Sequence, residues 1–119
     1  MNDKKQPSNR QLKVGQQIRF LISNLLIKED FIFENFENKN LTVVDVVLSP
    51  DLKNAKIYVT TNSNYENELV LKELNRKSKF VQRKIASNLT SKFTPKIRFF
   101  FDNSFQYSNK ISKILETVK

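Results

Sequence analysis

The chain has 119 residues and contains neither cysteine nor histidine, which excludes disulfides, thiol nucleophiles, imidazole bases and Cys/His zinc sites. A hydrophobic fraction of 39% indicates a folded chain, and this length suits one domain with a single core. The net charge of +9 makes a polyanion a plausible partner, whereas no apolar run approaches the roughly 18–20 residues that span a bilayer. We therefore expect a cytoplasmic, monomeric protein that does not bind membranes.

Few residues of this chain are candidates for a catalytic site. The single glycine, Gly15, falls in a helical pattern, so no glycine-rich loop can cradle a phosphate. The best carboxylates for a site are Asp45, Asp51 and Asp102, but each also fits an ordinary strand-end or turn position. We predict a protein that is not an enzyme and holds neither a cofactor nor a metal ion.

The N-terminal region divides into a tail and a helix. Residues 1–8 are polar and lack periodicity, which predicts a flexible tail ahead of a domain at 9–119. Apolar residues then recur every three or four positions, which predicts a helix from Asn9 to near Lys28, capped by Ser8 or Asn9. Arg10 and Lys13 lie on its polar side, where solvation explains them as well as RNA contact does.

An acidic, aromatic connector follows at residues 28–40. Its phenylalanines, Phe31, Phe33 and Phe36, are expected to pack under the core, with a weak strand or short turn. Its acidic side should face away from any polyanion; the acids are Glu29, Asp30, Glu34 and Glu37.

Two strands are predicted next, at Leu41–Leu48 and at Ala55–Thr61, because both stretches are rich in β-branched residues. Ser49-Pro50-Asp51 supplies turn chemistry between them, so the pair should form a hairpin. Alternation in the second strand leaves Lys56 and Tyr58 on a face that is at least partly wet.

The segment Lys72–Arg98, called the basic segment below, carries nine basic residues and one acid, so +8 of the total charge of +9 lies there. Helical patterns run from about Glu66 and again over Phe80–Lys92, Thr94-Pro95 ends the second helix, and Ile97–Phe101 alternates as a third strand. From Ser104 onward the apolar spacing predicts a short C-terminal helix.

Charge concentrated in this way is typical of a surface that binds a polyanion, although a solvated basic helix face remains the alternative. If the helix is continuous, Lys72, Arg76, Lys79 and Arg83 share one face. The residues expected at the centre of an RNA contact are Arg76, Lys77, Lys79, Arg83 and Lys84. Those expected to extend it are Lys92, Lys96 and Arg98, with Arg10, Lys13 and Lys56 as secondary contacts.

Aromatic residues on the exposed sheet face offer a second kind of contact. Tyr58 and Phe100 are placed to stack on bases. We favour instead the interpretation that the first or the last helix covers Phe100, since a bare phenylalanine there would promote aggregation.

Two stretches resemble ribosome-binding factor A, a family of bacterial assembly factors for the small ribosomal subunit. They are SPDLKNAKIYV at Ser49–Val59 and SKFVQRKIASNLTSKFTPKIRFFFDNS at Ser78–Ser104. The first helix also matches, so the resemblance runs from Leu12 to about Leu115.

The resemblance implies an α+β, type II KH-like domain in the order α-β-β-α-α-β with a short C-terminal helix, its three-stranded sheet covered by helices on one face. It also implies binding to 16S rRNA in the immature 30S subunit or its precursor, support of late maturation and 5′-end processing, importance in the cold, and release by a GTPase assembly factor. The family catalyses nothing and holds no cofactor.

Some positions depart from the family pattern. Lys77-Ser78-Lys79 stands where an Ala-Ser-Gly kink is usual, which puts the kink geometry in question and adds two charges. Gln82 replaces an expected arginine. Two other readings remain open: a general KH-like nucleic-acid-binding module, and a protein-interaction adaptor that uses the acidic connector.

Overall fold

The computed structural model describes residues 6–28, 33–34, 36–37, 40–61, 66–90 and 92–102. Its elements are α1 (Asn9–Ile27), β1 (Leu41–Leu48), β2 (Asn54–Thr61), α2 (Asn67–Arg76), α3 (Ser78–Ala86) and β3 (Lys96–Phe101). The predicted α+β fold and its order α-β-β-α-α-β are confirmed. The predicted C-terminal helix and most of the predicted tail lie outside the described residues.

The first helix begins with a capping box, and Ser8 is confirmed as its cap. The Ser8 hydroxyl accepts from the Gln11 backbone N–H at 3.0 Å, and the Gln11 side chain accepts from the Ser8 N–H at 2.8 Å. Gly15 lets α1 lie close to β1, because a Cβ at this position would sit 3.2 Å from the carbonyl oxygen of Val46. The Gln11 amide also donates to the Leu48 carbonyl at 3.0 Å. Helix and strand are therefore joined by both packing and hydrogen bonding.

The sheet has the order β1-β2-β3, with β1 antiparallel to β2 and β2 parallel to β3. The parallel pair is connected through α2 and α3. Alternate residues of β2 and β3, such as Ile57 and Phe99, are buried, and they join the apolar residues of all three helices in one core. All three described helices thus cover the same face, and we call the other one the open face.

A β-bulge at Val44 corrects the phase of β1. Without it, alternation from Val43 would place Asp45 in the core. The pairing shifts between Val43 and Asp45, so that Asp45 pairs with Tyr58 on the open face and Val46 pairs with Ile57 on the core side. One extra residue therefore keeps a carboxylate out of the core and returns Leu48 to it, where it is 5% exposed.

A tightly bonded turn joins β1 to β2. The Ser49 hydroxyl donates to Asp51 at 2.6 Å, and the same carboxylate oxygen accepts from the Lys53 backbone N–H at 3.0 Å. Leu52 has a positive φ of 62°, rare for a residue with a side chain, and it is buried. The predicted hairpin and its turn chemistry are confirmed.

The second half of the helical region differs from the prediction. The helix expected over Phe80–Lys92 ends at Ala86, because the N–H groups of Asn88 and Leu89 bond back three residues, to Ile85 at 3.1 Å and to Ala86 at 3.4 Å. Serine and asparagine are poor helix formers, which explains the early end. Leu89 still packs against the core, so the apolar spacing continued after the helix had stopped.

Candidate nucleic-acid interface

The helical part of the basic segment divides between α2 and α3, as the two separate helical patterns predicted. Lys77 separates them with φ −95° and ψ 8°, while Lys79, at the position of the expected glycine, is helical in α3, so the break forms without a positive φ. Lys77-Ser78-Lys79 is therefore compatible with a break here, which answers the question that the sequence raised about the kink. The charged face expected on a continuous helix is split into two pairs four residues apart, Lys72 with Arg76 on α2 and Lys79 with Arg83 on α3. All four side chains are exposed.

Lysine and aromatic side chains meet at several points around these helices. The Lys77 ammonium lies 5.9 Å from the ring centroid of Phe33, and Lys77 is half-buried, unlike its charged neighbours. Lys84 lies 5.4 Å from the ring centroid of Phe80. Such contacts hold the ammonium in place while leaving its charge available to solvent. Phe36 is buried and stacks on Phe33 at 4.2 Å, as expected for the connector; Phe31 lies outside the described residues.

The third strand contributes a separate group of cations. Lys96 and Arg98 alternate with buried residues, so both lie on the open face, and Lys56 pairs directly with Arg98 in the register of β2 and β3. All three are exposed. The contact expected to extend the helical site is thus on the sheet, opposite the face that the helices cover.

A groove at the edge of β3 connects the sheet cations with the helix break. Lys96 and Arg98 line it from β3. Four uncharged polar residues complete the lining: Asn75 and Ser78 from the helices, Ser49 from the hairpin turn and Asn54 from the start of β2. These polar residues were absent from the sequence-based site. The only signal for them in the sequence was Asn75, because asparagine is a poor helix former and yet stands within a helical pattern.

Asn75 has a definite structural task in this groove. Its amide nitrogen donates to the Phe99 carbonyl at 3.2 Å, and its oxygen accepts from the Phe99 N–H at 2.8 Å. The side chain thus bonds the outer side of β3 as a neighbouring strand would, which fixes the break between α2 and α3 relative to the sheet.

The remaining predicted contacts lie apart from these groups in the chain. Lys92 follows the end of α3, 5.6 Å from the ring centroid of the exposed Phe93. Arg10 and Lys13 are exposed in the first turns of α1. The described residues therefore carry every predicted basic contact at the surface except the half-buried Lys77, and whether each touches RNA stays a prediction.

One of the two helices predicted to cover Phe100, α1, does not do so, because it packs on the core side of the sheet. Phe100 lies on the open face, half-buried, with its ring 5.8 Å from that of Tyr58. The other helix expected to cover it, at the C-terminus, falls outside the described residues.

The carboxylates considered for catalysis occupy structural positions. The hydroxyl of Ser49 and the N–H of Lys53 lower the pKa of Asp51, which stabilises its charged form. Asp45 accepts from the Val46 N–H at 2.9 Å, and the Asp102 N–H donates to Val59 at 2.9 Å. Within the described ranges, no cluster of three acidic residues could hold a metal ion. In that same part of the chain, no helix is long and apolar enough to span a membrane.

A small α+β domain with its positive charge concentrated on exposed side chains has the electrostatic character of a protein that binds a polyanion. The sequence profile of ribosome-binding factor A matches residues 10–115. A ribosome-binding factor A from Methylocella silvestris is 39% identical over 114 residues, which cover 96% of this chain and 74% of the relative. The chain belongs to the ribosome-binding factor A family.

Solved structures agree with this assignment. The solution NMR structure of a candidate ribosome-binding factor A from Thermotoga maritima matches with a TM-score of 0.66 and 26% identity, covering 82% of this chain and 91% of that one. A homology model of the Thermus thermophilus factor, fitted into a cryo-EM map of a 30S complex, matches with a TM-score of 0.57 at 21% identity, covering 75% and 91% of the two chains. At that identity the second likeness concerns the fold alone.

Proposed function

We propose that the protein binds 16S rRNA in the immature 30S subunit and assists its late maturation, including processing of the 5′ end. The observation that carries the proposal is the concentration of +8 charge in the basic segment, nearly all of it on exposed side chains. The family supports the ribosomal target, since its matching profile and its relatives are named for ribosome binding and a member from Thermus thermophilus is described in a complex with 30S. The family resemblance also supports a cytoplasmic location and release by a GTPase assembly factor.

Electrostatic docking on folded RNA is the mechanism that this surface suits. Lysine and arginine neutralise phosphates and release counterions, which makes binding strongly salt-dependent. Such contacts position a protein without reading sequence. The helix break at Lys77 has no glycine loop with which to clamp a single strand, so the shape of the pre-ribosomal site supplies the specificity. Occupying that site favours one RNA arrangement, and only by as much as the affinities for the two arrangements differ.

Sucrose-gradient co-sedimentation with lysate ribosomes tests this proposal. We expect the tagged protein in the free 30S fraction at low salt and its release at raised salt. A triple variant with Arg76, Lys79 and Arg83 changed to glutamate should leave that fraction while keeping its thermal midpoint, because all three side chains are exposed.

A matched triple variant separates the position of the charge from its amount. Changing Arg19, Lys28 and Lys53 to glutamate alters the net charge equally at exposed positions outside the predicted contact. This control should stay with 30S. Equal loss from both variants, or even distribution over 30S, 50S and 70S, would reduce the protein to a nonspecific basic module. Retention of a protein partner without any ribosomal fraction would favour the adaptor.

A further inference from the structure

The open face carries a pair of aromatic rings in register. Tyr58 and Phe100 are direct partners in the β2–β3 ladder, and their ring centroids are 5.8 Å apart with an interplanar angle of 31°. The described helices pack on the other face of the sheet, and each ring is only half-buried. The chain therefore presents adjacent π-surfaces that its own described core does not use.

Two cations lie beside the Phe100 ring of this pair. The Lys56 ammonium lies 5.8 Å and the Arg98 guanidinium carbon 5.7 Å from the Phe100 ring centroid, and both side chains are exposed. These distances allow a cation–π contact, which holds the charges beside the ring and not far out in solvent. An aromatic surface bordered by positive charge is the combination that binds single-stranded nucleic acid.

Asp45 makes the charge on the open face uneven, with negative charge near β1 and positive charge near β3. Asp45 is exposed and pairs with Tyr58 from the β1 side, whereas the positive charge lies towards β3. A phosphate chain would be repelled near β1 and attracted along β3. Lys96 and Arg98 also line the groove at the β3 edge, together with Asn75 and Ser78. This groove supplies charges and hydrogen-bonding groups for a sugar-phosphate backbone beside the rings.

We propose that the open face binds an unpaired RNA segment, with a base stacked on the Phe100–Tyr58 pair and its phosphates along β3 at Lys96 and Arg98. The inference deepens the function proposed above and rests on it for the identity of the RNA. The partner is single-stranded because bases inside a duplex have their faces covered by neighbours, whereas an unpaired base exposes its π-surface. Arg98 and Lys56 turn from the ring towards the phosphates when the base arrives.

A labelled, unstructured RNA octamer of adenine and uracil is the probe, compared with the same sequence annealed to its complement. Phe100→Leu removes the ring but keeps an apolar side chain, so the half-buried site should still fold. Loss of stacking on one base should weaken octamer binding about 5- to 100-fold. Phe20→Leu is the matched control, since Phe20 is also an exposed phenylalanine but lies on α1, outside the predicted contacts. We expect no change in that control.

A second measurement does not depend on how the variant folds. An octamer containing 4-thiouridine, irradiated with the unmodified protein and digested with trypsin, should crosslink to the peptide that begins at Phe99 or at Ile57. Crosslinks confined to peptides of α1 or α3 would overturn the proposal. So would equal binding of duplex and octamer, or octamer affinity that is the same in Phe100→Leu and the unmodified protein.

The two proposals fail in different ways. If the protein co-sediments with 30S but Phe100→Leu binds the octamer as before, the stacking site is wrong and the ribosomal function stands. If octamer binding depends on Phe100 but no 30S fraction contains the protein, the stacking site stands and the ribosomal function is wrong.

Discussion

Leu52 holds a conformation that its side chain disfavours. Its φ of 62° falls in the left-handed region, where a Cβ costs about 1–2 kcal/mol. The side chain is 8% exposed, so its burial offsets that strain. The residue serves two purposes, since the backbone turns the chain from β1 to β2 while the side chain closes one end of the core.

Alanine variants are usually more stable than glycine variants, and at Leu52 we expect the opposite. Both variants lose the buried side chain and about 2–4 kcal/mol of unfolding free energy. Leu52→Ala keeps the strained Cβ, whereas Leu52→Gly removes the strain, so we expect the glycine variant to be about 1 kcal/mol more stable than the alanine variant. Urea unfolding measures both. An alanine variant as stable as the glycine variant would contradict the role of backbone strain at this turn.

Asp51 should make stability depend on acidity. Its pKa is lowered in the folded protein, mainly by the Ser49 hydroxyl and then by the Lys53 N–H. A depressed carboxyl pKa stabilises the fold at pH values above the unfolded value of about 4, and this stabilisation is lost as pH falls through the folded pKa. The difference in unfolding free energy between the protein and Asp51→Asn should be constant from pH 7 to 5 and shrink below about pH 4. A difference that grows on acidification would have the wrong sign.

At the scale of elements, the bulge at Val44 decides which side chains of β1 enter the core. Deleting Val44 would restore plain alternation with Val43, Val46 and Leu48 still facing inward. We therefore expect that variant to fold, with a loss of about 1 kcal/mol for the half-buried valine. Thermal unfolding followed by circular dichroism measures the effect.

Deleting Val47 is the control, because it also removes one valine but from the open face, where that side chain is 44% exposed. Leu48 would then move to the open face and lose about 2 kcal/mol of burial, with Asp45 forced towards the core if the bulge were lost instead. The Val47 deletion should be clearly the less stable of the two. Equal stability would mean that the bulge does not set the register.

The helices and strands could be predicted from the sequence, but the bulge in β1 and the end of α3 could not. Periodicity located all three strands and α1 to within a residue or so, because apolar side chains must alternate or recur where a face is buried. The bulge escaped notice since Val-Val-Asp-Val-Val reads as one buried strand whichever valine is extra. The end of α3 was missed because Leu89 keeps helical spacing while packing from a turn.

At the scale of the whole molecule, charge is divided between two surfaces. Arg76, Lys79 and Arg83 are on α2 and α3. Lys96 and Arg98 are on β3, where they lie on the open face of the sheet. The concentration of charge could be predicted because it depends only on the order of residues along the chain. The groove between the surfaces could not be predicted, since Asn75 and Ser78 come together with Lys96 only in three dimensions.

Binding to 30S subunits should become less dependent on salt concentration when the cations on α2 and α3 are neutralised. Changing Arg76, Lys79 and Arg83 to glutamine should reduce the slope of log affinity against log salt by about 2 to 3, given about 0.7 to 0.9 per phosphate contact. Titrations at several salt concentrations measure the slope. The same changes at Arg19, Lys28 and Lys53 should leave it unchanged; an equal reduction would show that diffuse charge, not contact, governs binding.

The amide of Asn75 also has a consequence for how molecules of this protein meet one another. β3 is an edge strand, and such edges invite pairing with extended segments of other chains, the first step of aggregation. At its centre, Phe99 already has both backbone groups bonded to Asn75. An incoming strand would have to break two hydrogen bonds before making its own, and it would meet the exposed charges of Lys96 and Arg98. Among the described residues, the Asn75 side chain thus protects the outer edge of β3 from pairing with another strand.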